Sequence, residues 1–209
     1  HHFLHGKGFH DLYRNTKEVF ERGEYFPDLV VREANNFLDR NKDRPFFLYV
    51  AFNVPHYPEQ ADEKFDLFYA RHKMPRQSYG KMVSTTDDRI GQIMGKLEQL
   101  GLRDDTIVVL TSDHGELLGS HGLFCKNFSA FEEVYNIPMV VAGPGVAEGV
   151  ESDARVGLHD LCPTLLDLAR AAPISVPDSR RQSGRRSGRT VSPSGTRFKL
   201  TCTLRGLLN

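Results

Sequence analysis

A few positions carry the side chains that handle anions and metal ions, in settings that would hold them still. Asp113 and His114 directly follow an apolar run and precede Gly115. Carboxylate and imidazole are both metal ligands. Neighbouring side chains diverge along a strand, but a turn at Gly115 would bring both toward one ion. A plainer reading makes Asp113 a cap of the next turn and His114 a packing residue. His56 lies between Pro55 and Pro58. Prolines reduce the freedom a loop loses on folding, so this imidazole would be presented rigidly, to donate to an anion or protonate a leaving group. A lone histidine beside prolines is more often structural. Lys126 follows Gly119-Ser120-His121-Gly122-Leu123-Phe124-Cys125. A lysine reached through such a loop is a point charge that can be aimed at an anion, or simply a solvated cation. His121, between small residues, is similarly open.

Elements that could position these groups are legible around them. From Pro27, Leu29, Val30, Ala34, Phe37 and Leu38 recur at helical spacing, and proline suits a first helical turn. Pro45 leads into Phe46–Phe52, apolar on both faces, which predicts a buried strand. Two prolines then force the loop that carries His56. Residues 59–77 predict irregular structure. Tyr79, Met82, Val83, Thr86, Ile90, Ile93, Met94, Leu97 and Leu100 fall on one face of a long helix, with Gly101 placed to end it. Thr106–Thr111 predicts a second strand ending at Ser112-Asp113-His114-Gly115, and Ile137–Ala142 a third, stopped by Gly143-Pro144-Gly145. A last helix is expected near Asp160, with Leu161, Leu165, Leu168 and Ala169 inward. Residues 1–24 predict a loop.

This order implies an α/β fold, a largely parallel sheet flanked by helices. Ligands gather at the carboxyl ends of strands in such sheets, where both Asn53–Pro58 and Ser112–Gly115 fall. The expectation is that Asp113, His114, His56 and Lys126 converge on one anion-binding pocket at that rim.

The 209 residues are 39% hydrophobic and 26% charged, enough for one sizeable core. No run approaches the roughly 18 apolar residues of a membrane span. Cys125, Cys162 and Cys202 are far apart and form no CxxC pair, which argues against a zinc knuckle or dense disulfide framework and for buried or incidental thiols. Net charge is zero, yet residues 171–209 hold eight Lys/Arg against one acid, Asp178. The stretch 179–209, with Ser183-Gly184-Arg185-Arg186-Ser187-Gly188-Arg189, reads as a poorly ordered basic tail. Short tails of this kind are usually solvated, so no nucleic-acid partner is expected.

In combination these segments resemble the sulfatase family, within the alkaline phosphatase superfamily. Arg44–Pro58 is similar to the strand that delivers a Pro-His pair. Tyr79–Leu102, with Val83-Ser84-Thr85-Thr86-Asp87-Asp88, resembles the following helix. Thr111–Lys126 resembles the metal strand and substrate loop, Glu132–Val141 the next block, and Asp160–Leu166 the closing helix. The likeness runs over about residues 10–180. It implies an alkaline phosphatase-like fold, present incompletely, with residues 1–178 as a partial catalytic domain.

The resemblance also implies roles. Asp113 and His114 would be ligands of a divalent metal. Calcium is the family's usual ion, but calcium prefers oxygen, and the His114 nitrogen, where the family often has Asn, leaves room for a transition metal. Lys126 would contact sulfate oxygens, and His56 would hold the sulfate or protonate the leaving oxygen. His121 would line the substrate pocket. The substrate would be an aryl or carbohydrate sulfate ester, and a secreted or periplasmic location follows from the resemblance alone. The family's nucleophile is a formylglycine made within C/S-x-P-x-R, a motif this sequence does not contain; Ser175-Val-Pro-Asp-Ser-Arg180 is one residue too long. The formylglycine is expected in a preceding part of the protein. Three readings follow: an inactive fragment of a sulfatase, part of a phosphate or phosphonate ester hydrolase of the same superfamily, or a catalytically dead binding protein.

Overall fold

The structure is a computed structural model that describes residues 12–126, 130–152, 156–169 and 171. The basic stretch 179–209 and Cys202 lie outside the described residues. The chain divides into two compact units, the first taking His1–Thr106 and Leu117–Cys125, the second Ile107–Glu116 and Lys126–Asn209.

In the first unit, the segment expected to be a loop opens instead with a small antiparallel hairpin, β1 (Tyr13–Arg14) and β2 (Lys17–Glu18). Asn15 turns it with a positive φ of 57°, a conformation asparagine tolerates better than most residues. Helix α1 spans Phe26–Asn41, with proline in its first turn. Its inner stripe of Leu29, Val31, Ala34 and Leu38 is buried, Leu38 to 1% exposure. Ion pairs Arg14–Glu33 and Arg32–Glu21, each 2.7 Å, fasten the hairpin segment to α1.

The run from Phe46 to Phe52, expected to be a buried strand, forms no ladder among the described residues. Exposed Phe47, Tyr49 and Ala51 alternate with half-buried Leu48, Val50 and Phe52. The period-2 alternation of an extended chain is there, but only one face is covered. Phe46 packs edge-on against Phe37 of α1, ring centroids 5.9 Å apart. Residues 59–77, expected to be irregular, include the four-residue helix α2 (Asp66–Tyr69).

Helix α3 runs Arg76–Gln99 and buries Met82, Thr85, Ile93 and Leu97, packing against α1. It stops where the sequence places its glycine. Gly101 has φ +69°, its N–H donates to Glu98 O, and the Leu102 N–H donates to Leu97 O at 2.9 Å, the backbone pattern that closes a helix on a left-handed residue.

In the second unit, β3 (Val108–Thr111) pairs with β4 (Met139–Ala142), register Val108↔Ala142 to Thr111↔Met139. The pairing is antiparallel. Among the described residues, therefore, the expected largely parallel sheet is not seen; the two strands on either side of the long 112–138 connection run oppositely. Short helix α4 (Glu132–Tyr135) precedes β4 and buries Val134. Helix α5 (Leu161–Leu168) closes the described chain, with Leu161, Leu165 and Leu168 half-buried; Ala169, expected on the same inner face, is exposed. Cys125 and Cys162 are free, exposed thiols, not buried ones.

Candidate functional site

The carboxyl end of β3 is shaped by Gly115. Its N–H donates to Val134 O at 2.8 Å, and a Cβ added at this position would lie 2.0 Å from the Glu133 carbonyl oxygen. Only glycine allows this approach to the α4 backbone. The turn this produces brings Asp113 and His114 together. Asp113 Oδ1 accepts from the His114 N–H at 3.0 Å, and Ser112 Oγ donates to His114 O at 2.8 Å. Asp113 Oδ2 then lies 3.7 Å from His114 Nε2, with the two side chains 83% and 28% exposed respectively.

The tautomer of a neutral His114 follows from its neighbours. Nδ1 is 2.8 Å from Gly115 O. A carbonyl only accepts, so Nδ1 carries the ring proton and Nε2 presents a lone pair. Lys126 Nζ lies 3.2 Å from that nitrogen. The structure thus gathers Asp113, His114 and Lys126 at the end of one strand.

The donor set suits part of a metal site. Two ligands about 2.1 Å from one ion can stand up to about 4.2 Å apart, and the Nδ1–H bond to a carbonyl is the support that ligating histidines commonly have. Among the described residues no group of three or more His, Cys, Asp or Glu is arranged to hold a metal; Asp113 and His114 are a candidate pair of donors.

His56 and His121 belong to the first unit. His56 is exposed, its Nδ1 donating to Tyr57 O at 2.9 Å. Val54, 6% exposed, anchors the near end of the loop. The far end is tied down at Asp62, whose N–H donates to Thr85 Oγ1 at 2.9 Å. His121 is exposed on a tight loop in which Leu117 N donates to Cys125 O and Gly119 N to Leu123 O. His121 itself has φ 56°, and Leu118 and Cys125 also have positive φ, conformations that cost an ordinary residue roughly 1–3 kcal/mol.

One ionic cluster escaped the sequence reading. Arg89, 7% exposed, donates from Nε to Asp28 at 2.6 Å, from NH1 to Asp88 at 2.6 Å and from NH2 to Asp62 at 3.0 Å. Lys64 completes it through Asp88 at 2.5 Å. Burial works against the Arg89 charge, but the bonds to Asp28, Asp88 and Asp62 outweigh it and raise its pKa. The Lys64 N–H, then Arg89, hold Asp62 below the usual carboxylate range against its burial. Asp88 is also lowered: burial opposes this, and Lys64, Arg89 and Gln92 prevail. Asp87 is raised by burial and by the Asp88 charge. Tyr25, whose hydroxyl donates to Gln60 O at 2.8 Å, is pushed up to about 12, chiefly by burial. The available signal was a charged residue in register with Met82, Thr85 and Ile93 on the buried stripe of α3.

The sulfatase family model matches residues 1–171. The chain belongs to the sulfatase family. Over 187 residues this sulfatase chain is 32% identical to the ulvan-active sulfatase of Formosa agariphila, covering 78% of this chain and 36% of that protein. It is 36% identical over 108 residues to the choline-sulfatase of Rhizobium meliloti, covering 51% of this chain and 20% of the other. The crystal structure of Ps i-CgsB in complex with k-i-k-neocarrahexaose superposes with a TM-score of 0.69 at 32% identity, covering 82% of this chain and 41% of that one. The chain therefore spans about a third or less of the curated relatives it matches. Its solved neighbours include the putative sulfatase yidJ from Bacteroides fragilis, with a TM-score of 0.61 at 26% identity, and its fold is alkaline phosphatase-like to that extent. Among the described residues no helix is long and apolar enough to cross a membrane.

Proposed function

We propose that this chain supplies the metal-ligand pair and a sulfate-contacting lysine of a sulfuric ester hydrolase, and is inactive without a nucleophile from elsewhere. The observation that carries the reading is the grouping of Asp113 Oδ2, His114 Nε2 and Lys126 Nζ at the end of β3. Asp113 and His114 would hold a divalent cation, calcium by family habit, with the imidazole nitrogen favouring a transition metal. Such an ion supplies positive charge against oxygens that turn negative in the transition state.

The chain's own groups account for the rest. Sulfate ester hydrolysis builds negative charge on the sulfuryl and leaving oxygens. The Lys126 ammonium offsets the first by electrostatic stabilisation. His56, whose Nδ1 donates to Tyr57 O, would hold the sulfate or pass a proton to the leaving oxygen. His121 would line the substrate pocket. Carbohydrate sulfate esters are the favoured substrates, because the similar proteins include one named for activity on ulvan and one solved with a neocarrahexaose. The second reading, a phosphate or phosphonate ester hydrolase, draws on His114, a nitrogen ligand that suits metals other than calcium.

The test assays the chain alone and joined to a sulfatase segment that carries the C/S-x-P-x-R motif, with p-nitrophenyl sulfate and p-nitrophenyl phosphate as substrates. The expected result is no turnover by the chain alone. The joined protein should prefer the sulfate ester and lose about 10²–10³-fold in kcat on Lys126→Ala. Turnover by the chain alone that vanishes in Lys126→Ala would refute the need for an outside nucleophile. A preference for the phosphate ester would select the second reading.

A further inference from the structure

His114 Nε2 has one lone pair, and two cations have a use for it. The Nδ1 proton is committed to Gly115 O at 2.8 Å, so Nε2 is the ring's only acceptor. Lys126 Nζ, 3.2 Å away, can only donate, and it donates there. A metal ion ligated by His114 needs the same lone pair along the same direction, with Asp113 Oδ2, 3.7 Å from Nε2, as the second ligand. An imidazole nitrogen cannot serve both. An Asn side chain could, since its amide oxygen has two lone pairs.

Resting on the reading of Asp113 and His114 as metal ligands, we infer that Lys126 and the metal are mutually exclusive partners of His114 Nε2. Metal loading expels the ammonium from the imidazole and releases it for the anion. The coupling is reciprocal: whatever draws Lys126 away tightens the metal, and a bound metal makes the lysine available. Because like charges repel as well, both effects act in one direction, but only the lone-pair conflict depends on a nitrogen at position 114. That dependence separates this device from a general effect of positive charge.

The full chain with Mn²⁺ alone as the probe tests it, the free ion being counted by its electron paramagnetic resonance signal. Five proteins are compared: wild type, Lys126→Met, His114→Asn, the variant with both changes, and Asp113→Ala. Lys126 is exposed, so its replacement does not touch the core. The expected result is Mn²⁺ binding about 5–10-fold tighter in Lys126→Met than in wild type. In the His114→Asn background the same change should shift affinity by less than about 2-fold. Equal tightening in both backgrounds overturns the inference while leaving the metal pair intact. No tightening in either background also overturns it. If Asp113→Ala leaves Mn²⁺ binding unchanged, the metal reading fails and takes the inference with it.

Discussion

Gly115 sets the geometry of the turn that pairs Asp113 with His114. A Cβ there would meet the Glu133 carbonyl at 2.0 Å, and backbone cannot swing aside as a flexible side chain can. Gly115→Ala should therefore destabilise the unit by about 1–3 kcal/mol and break the 2.8 Å bond to Val134 O. Hydrogen exchange at the Gly115 amide reads this directly: faster exchange than wild type is expected, and an unchanged rate would show that the turn does not need glycine. The same change should weaken the Asp113–His114 pairing, since the turn is what brings adjacent side chains together. At this scale the sequence was informative. Asp113, His114 and Lys126 were candidates whose residue types left plainer readings open and which the family resemblance singled out, and the structure places the three near one another. What could not be read was their mutual hydrogen bonding, because the tautomer of His114 depends on which carbonyl the turn delivers to Nδ1.

Helices α1 and α3 were legible because each carries an apolar stripe and a recognisable boundary, Pro27 and Gly101. The ionic cluster between them was not, because Asp28, Asp62 and Asp88 come from three separate segments. Removing its centre has a pH signature. Asp62 and Asp88 have folded pKa values below the ordinary carboxylate value of about 3.9. Their contribution is thus present above about pH 4 and lost as pH falls through the lowered values. Asp87, raised, works the other way, favouring the fold at low pH and losing that contribution as pH rises through its own value. Arg89→Ala leaves three carboxylates without their common partner. It should cost about 2–3 kcal/mol near pH 7, below the usual 3–5 for a fully buried pair, because the acids are 25–47% exposed. Protonation would relieve the repulsion, so the deficit relative to wild type should shrink from pH 7 to pH 4. Circular dichroism melts at both pH values check this; a deficit that grows on acidification would mean the cluster is not held by charge. Leu38→Ala, at 1% exposure, provides a charge-free comparison, with a loss of about 2–5 kcal/mol at either pH.

At the scale of the whole molecule, the sheet expected from the sequence lacks its Phe46–Phe52 strand among the described residues. Phe46–Phe52 has the composition of a strand buried on both faces, yet it has no ladder among the described residues and leaves Phe47 75% and Tyr49 80% exposed. Composition records what a segment can bury, while a ladder also requires a neighbour. A segment with exposed aromatic side chains and no ladder among the described residues invites pairing with another chain. The formal net charge of zero gives little repulsion to oppose it. The chain alone should therefore self-associate at micromolar concentration, seen by sedimentation velocity as species larger than 23.7 kDa. Replacing Phe47 and Tyr49 together with lysine should shift the distribution toward monomer. Those side chains are already exposed, so the change removes little burial, and it places two like charges on the face that must pair. If wild type sediments as a monomer at every concentration, the exposed aromatic face is not an associating one. If the double lysine variant associates as strongly as wild type, the contact lies on another part of the surface.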